Sequence, residues 1–217
     1  CCSVGGAGGD PGAPDPSEAA RVVEASRLLG LRHVGLTSVT RDDLPDGGAG
    51  HFAAVIAAVR AAMPGTTVEA LVPPLGHEHL ATVLAARVEV LAHNVEVVRR
   101  LTPLVRDPRA DYEGSLAVLR RARAIDPSVR TKSSLLLGLG ERMDEVRGTF
   151  DDLRAAGVGF LAVGQYLRPT RRQIPVERYV PPEEWDEIRA EAIRSGFDHV
   201  AAGPFVRTSY RAHEAIA

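Results

Sequence analysis

Lysine is nearly missing from this chain of 217 residues: of its 26 basic side chains, only Lys132 is a lysine. With so much alanine, valine and glycine, that bias reads as the codon usage of a GC-rich genome rather than as a binding feature. Cysteine is confined to Cys1 and Cys2. Two neighbouring cysteines cannot staple a domain of this size, which argues against a disulfide-built secreted protein. No apolar run is long enough to span a bilayer, so no membrane partner is expected. The polar, Gly/Pro-rich start lacks the apolar stretch of a signal peptide, and a cytoplasmic location is expected. A net charge of −2 leaves no electrostatic footprint for nucleic acid. There is no fixed-period repeat, and no linker announces a second domain. An initiating methionine is missing too. A chain that opens on Cys1 reads as a piece whose true N-terminus has been lost.

What is present is ordinary in composition, 45% apolar and 25% charged, and long enough for one sizeable core over residues 1–217. Its organisation is more telling. Apolar runs of strand length stop at small polar clusters, and helical stretches follow. LRHVGL ends in TSVTRDDLPDGG, VEVLA in HNVE, TKSSLLLG in LGE, and FLAV in GQYLRP. Strands are expected at 33–39, 67–72, 88–92, 131–137, 159–163 and 199–203. Helices are expected from Asp15 as cap and Pro16 as first helical residue to Gly30, over 51–63, near 77–86, from about 95, and over 112–125, 142–156 and 183–195. A polar tail, 204–217, closes the chain. Alternating strands and helices imply βα units on a parallel sheet. Five or six units are too few for an eight-stranded barrel and fit a partial barrel or a doubly wound sheet. In a barrel, the polar clusters at the strand ends share the face that carries chemistry.

Taken singly, the polar clusters leave alternatives open. GGAGG at 5–9 is no dinucleotide fingerprint, because no strand precedes it. Asp42, Asp43 and Asp46 could hold a divalent cation or form a solvated loop that caps the next helix. His93, Asn94 and Glu96 could bind a ligand or satisfy backbone groups at a helix start. Lys132, as the only lysine, hints at function. Gln165 and Tyr166 end a strand and would face the same mouth.

Together the segments are more specific. TSVTRDDLPDGGAGHF, HNVE, VRDPRADYEGSL, TKSSLLLGLGE, VGQYLRPTRRQIPVERYVPPEEWDE and HVAAGPFVRTSY occur in this order. The series resembles lipoyl synthases, enzymes of the radical S-adenosylmethionine (SAM) type, from Cys2 to about Ala212. The resemblance implies a partial (β/α)6 TIM-like barrel. It also implies a sulfurtransferase that inserts two sulfur atoms into an octanoyl chain held on a lysine of a lipoyl carrier domain or H protein. Two [4Fe–4S] clusters and SAM are the implied cofactors, with flavodoxin or ferredoxin as electron donor. One cluster, held by a C-x3-C-x2-C loop, cleaves SAM; the auxiliary cluster is consumed as the sulfur source. The nearest alternatives are a biotin-synthase-like sulfur-insertion enzyme and a degenerate barrel that binds a carrier domain without chemistry.

Residue by residue, the resemblance makes Cys2, followed by Ser3 and Val4, the third ligand of the radical cluster. The first two ligands and the auxiliary cluster's cysteine motif have no counterpart in the chain, so on its own it is expected to be inactive. The terminal Arg207-Thr208-Ser209-Tyr210 matches a motif that supplies a serine ligand to the auxiliary cluster. Ser209 is assigned that role, with Thr208 the other hydroxyl that could hold it. Thr37, Ser38, Asp42 and Asp43 match a loop beside the methionine part of SAM. Asn94 and Glu96 match N-H-N-x-E-T, although Ala92 and Val97 replace its first and last residues and Pro74 stands where an Asp is usual. Arg106 matches an arginine that could pair with the SAM carboxylate. Lys132, Gln165 and Arg168 match positions facing the mouth.

Overall fold

Six strands form one parallel sheet in a computed structural model that describes residues 12–216; Cys2 and GGAGG lie outside the described residues. The strands are β1 (His33–Thr37), β2 (Thr67–Leu71), β3 (Val90–Ala92), β4 (Arg130–Leu137), β5 (Phe160–Gln165) and β6 (His199–Gly203). They pair in chain order, β1 to β6. A doubly wound sheet reverses its strand order part-way, so the sequential order selects the partial barrel.

The outer face carries helices α1 (Glu18–Leu28), α2 (Ala49–Ala62), α3 (His77–Ala85), α4 (Thr102–Val105), α5 (Tyr112–Ile125), α6 (Met143–Ala155) and α7 (Pro182–Arg194). Period-2 alternation splits each strand between two environments. In the first half, Val68, Ala70 and Leu91 pack under Ile56, Val59 and Leu80. In the second, Leu135, Leu137, Leu161 and Val163 pack with Phe150, Leu153, Trp185 and Ile188. The intervening side chains look into the barrel. None of the helices among the described residues is long and apolar enough to cross a membrane.

Two expectations need correction. Helix α1 begins at Glu18 rather than Pro16, because the Asp15 carboxylate accepts from both the backbone N–H (2.8 Å) and the hydroxyl (2.7 Å) of Ser17. No helix starts near 95. Val95, Val97 and Val98 are buried, and Glu96 runs alongside β4 instead. Its N–H donates to the Ser134 carbonyl (3.1 Å), and its carbonyl accepts from the Leu136 N–H (2.7 Å). Only then does the chain coil, through a 3₁₀ turn at Arg99–Leu101 into the single turn of α4. β-branched residues fit a half-extended wall better than a helix, and here burial decided in favour of the wall.

The tail after β6 turns across the barrel mouth. A side chain at Gly164 would collide with the Val206 carbonyl, so glycine lets the tail lie directly on β5. The tail ends in a 3₁₀ turn, Ala212–Ala215, that packs against β1. It thus joins the last strand to the first across the open side of the barrel.

Candidate active site

Inside the barrel, polar groups occupy two levels. The lower one is a floor. Glu69 on β2 and Lys132 on β4 form a buried ion pair, with Nζ 2.8 and 3.0 Å from the two carboxylate oxygens. His33 Nε2 lies 3.8 Å from the same carboxylate. Strand register then places Phe160 beside Lys132 and His199 beside Phe160, where the two rings meet edge to face. Burial pushes the Glu69 carboxyl up, and the Lys132 charge opposes it. Burial, and then Lys132, pull both His33 and His199 down, which favours neutral rings.

Above the floor a cavity of about 560 Å³ opens at the C-terminal strand ends. Its middle is small or apolar, with Gly35, Leu71, Ser134, Leu136 and Ala162 among the lining residues. Its rim is polar: Thr37, Asn94, Glu96, Thr208 and Ser209. Asn94 organises this rim. Its amide donates to the Glu96 carboxylate (3.1 Å) and to the Thr208 hydroxyl (3.0 Å). Glu96 adopts φ 67°, in the left-handed region that non-glycine residues rarely enter. Such strain, worth about 1–3 kcal/mol, collects at functional sites. Thr208 is therefore engaged, whereas the exposed Ser209 hydroxyl has no hydrogen-bond partner among the described residues.

Several residues singled out from sequence are engaged by the protein itself. Lys132 belongs to the floor, not the mouth, because Glu69 holds it there. Gln165 lines the cavity, as expected of a mouth residue, and its side chain also clamps a neighbouring segment: it donates to the Tyr166 and Arg178 carbonyls (both 3.1 Å) and accepts from the Val180 N–H (2.9 Å). Arg168 folds onto its own loop, donating to the Gln173 and Arg171 carbonyls. Asp42 pairs with Arg109 (2.5 Å) and Asp43 with Arg41 (2.6 Å), both outside the cavity lining. Asp46 accepts from the N–H groups of Gly48 and Gly50 at the start of α2, which holds its carboxyl below the usual range. This acidic loop is paired and capping. Ser38 donates to the Val39 carbonyl. Arg106 donates to Ser115 (2.7 Å) and is not part of the cavity lining; burial pulls its pKa down, and Glu96 and Asp111 pull it back. His93 is buried: its Nδ1 meets the Val72 carbonyl (2.8 Å), its Nε2 has no partner, and burial pulls its pKa to about 4. Sequence reasoning did not single out Glu69, although a lone carboxylate in the apolar run TVEALV was the available signal.

Residues 1–153 match the Radical SAM superfamily. The chain is 54% identical to the lipoyl synthase of Halorhodospira halophila, covering 99% of this chain and 65% of that protein. It is 56% identical to that of Thermus thermophilus (94% and 64%) and 52% identical to that of Trichlorobacter lovleyi (93% and 72%). The chain belongs to the lipoyl synthase family. It spans a little under two thirds of the length of the first two of these relatives. The same fold occurs in methylornithine synthase (TM-score 0.59, 13% identity, 91% of this chain and 66% of that one). It also occurs in the FeFe-hydrogenase maturase HydG of Carboxydothermus hydrogenoformans (0.60, 14%, 92% and 57%).

Membership in the radical SAM superfamily brings SAM and a [4Fe–4S] cluster as cofactors. The cavity fits the former, with polar groups at its rim and room above the floor. For the cluster, the described residues include no cysteine and no grouping of three or more His, Cys, Asp or Glu that could hold a metal. Thiolate ligands for the cluster would have to come from outside the described residues.

Proposed function

We propose that the protein to which this chain belongs is a lipoyl synthase, a sulfurtransferase that places two sulfur atoms at C6 and C8 of a protein-bound octanoyl group. A lipoyl carrier domain or H protein presents that group, and flavodoxin or ferredoxin supplies electrons. When bound, SAM and its cluster supply the radical chemistry, and a second, auxiliary [4Fe–4S] cluster supplies the sulfur. The chain's own residues do the positioning. Thr37, Asn94 and Glu96 offer hydrogen bonds to SAM from the rim. The small and apolar middle of the cavity accepts an alkyl chain and excludes water from it.

The observation that carries this reading is the unpartnered Ser209 hydroxyl at the cavity rim, in a tail fixed there by Thr208 and Asn94. A free hydroxyl on an anchored backbone suits a displaceable ligand to the auxiliary cluster. The test is anaerobic turnover of the full-length, cluster-reconstituted protein with an octanoylated carrier domain. Formation of 5′-deoxyadenosine together with lipoyl product is expected. SAM cleavage with dethiobiotin and not with the octanoyl domain would select a biotin-synthase-like enzyme. Carrier binding with no SAM cleavage would select a degenerate barrel.

A further inference from the structure

The loop after β5 carries a run of cations that the site does not use. Residues 167–172 are all exposed, and Leu167 and Pro169 line the cavity, so the loop is part of the rim. Among the described residues, none of Arg168, Arg171 and Arg172 has a carboxylate within ion-pair distance, and the Arg171 and Arg172 side chains have no hydrogen-bond partner. Arg207, also in the cavity lining, reaches only the Val206 carbonyl (2.6 Å). Nearby acids are occupied or turned elsewhere: Glu184 pairs with Arg178, Asp186 with Arg189, and Glu177 packs beside Gly140. The loop is nonetheless well held, through Arg168 and through the Gln173 carboxamide, which accepts from the Thr170 N–H (3.1 Å) and hydroxyl (2.5 Å). Beside it lies a groove of about 500 Å³ lined by Leu167, Tyr179, Trp185 and Phe205. Tyr179 is 69% and Phe205 76% exposed.

We propose that this arginine rim and the aromatic groove beside it are the docking surface for an acidic face of the protein domain that delivers the acyl chain. The proposal rests on the function given above. An acyl chain on a lysine arm must pass over the rim to enter the cavity, so the body of its carrier comes to rest there. In a chain of net charge −2, cations left unpaired at one rim attract an acidic partner without attracting polyanions in general. Exposed aromatic rings beside a polar rim are the usual anatomy of a protein interface. A nucleic-acid site would extend the basic track along the surface, whereas here it borders an apolar groove.

The test uses the full-length, reconstituted protein with Arg171→Glu/Arg172→Glu. A control, Arg32→Glu/Arg87→Glu, makes the same charge change at the opposite strand ends. Two substrates are compared: an octanoylated, acidic lipoyl carrier domain and a short octanoyl-lysine peptide. The rim variant should lose about tenfold or more in kcat/KM on the domain, a typical steering effect, while the peptide reaction is unchanged. The unsubstituted protein's rate on the domain should fall as salt is raised past about 0.1 M, where charges are screened beyond ~10 Å. Equal losses on both substrates, or an equal loss in the control, would overturn the proposal. If neither substrate is turned over by the unsubstituted protein, the enzymatic reading fails. The docking proposal is then decided by binding of the fluorescently labelled domain: a weaker Kd in the rim variant alone supports it, and equal Kd values, or equally tight binding of a single-stranded RNA, overturn it.

Discussion

The floor and the mouth of the barrel use the same chemical groups in opposite ways. At the floor, a carboxylate meets the only lysine, both are buried, and each is the other's partner. At the mouth, Glu96 is held in a strained conformation, receives one hydrogen bond from Asn94 and faces the cavity. A buried charge without a partner is costly, so the two charges of the floor had to be paired with each other. Groups at the rim keep water until a ligand replaces it, so they can remain open.

The sharpest division is expected from Ser209→Ala in the full-length protein. Lipoyl product should fall to little or none while 5′-deoxyadenosine still forms and stability moves by less than about 0.5 kcal/mol, as for an exposed side chain. Cys2→Ala should abolish both products. Normal lipoyl yield in the Ser209 variant would remove Ser209's claim to that role and direct attention to Thr208.

Lys132→Met tests the floor. It strands Glu69 and should destabilise the protein by about 3–5 kcal/mol in urea denaturation, while Glu69→Leu/Lys132→Met should recover much of that loss. A single variant as stable as the parent would mean that the pair is not buried as described.

His93 gives the pH counterpart. Its folded pKa of about 4 lies below the usual 6.5, so between those values the unfolded chain takes up a proton that the folded chain refuses. Its contribution is complete above pH 6.5 and is lost as pH falls towards 4, by up to roughly 3 kcal/mol. His93→Gln should flatten that slope. An unchanged slope would assign the acid sensitivity to other groups.

The smallest effect concerns the tail. Thr208→Val removes the hydroxyl that Asn94 bonds and should cost about 1 kcal/mol of stability. Lipoyl formation should slow more than SAM cleavage, because the tail and Ser209 lose their anchor. Equal slowing of both would show that Asn94 acts on SAM alone.

Much of the fold was legible because its signals are local. The apolar periodicity of Tyr112–Ile125 and the Gly and Asp punctuation gave each long element to within a few residues. The one missed element, at Val95–Val98, is where side chains compatible with a helix were claimed by a long-range wall against β4. In the site, Thr37, Asn94, Glu96 and Ser209 come together on one rim. The misplaced residues share a cause. Lys132, Asp42 and Asp43 all stand near strand ends in the chain, and proximity in the chain does not tell which way a side chain turns or who has already engaged it.

By itself the sequence determined the alternation of strands and helices, the parallel sheet and the family, since periodicity, turn residues and motif order are carried by neighbours in the chain. Only the tertiary structure decided that Glu69 and Lys132, 63 residues apart, neutralise each other. It alone decided that Asn94 takes Thr208, 114 residues on, and leaves Ser209 free. Pairing of charges and hydrogen bonds depends on distance in space, which folding sets and chain order does not.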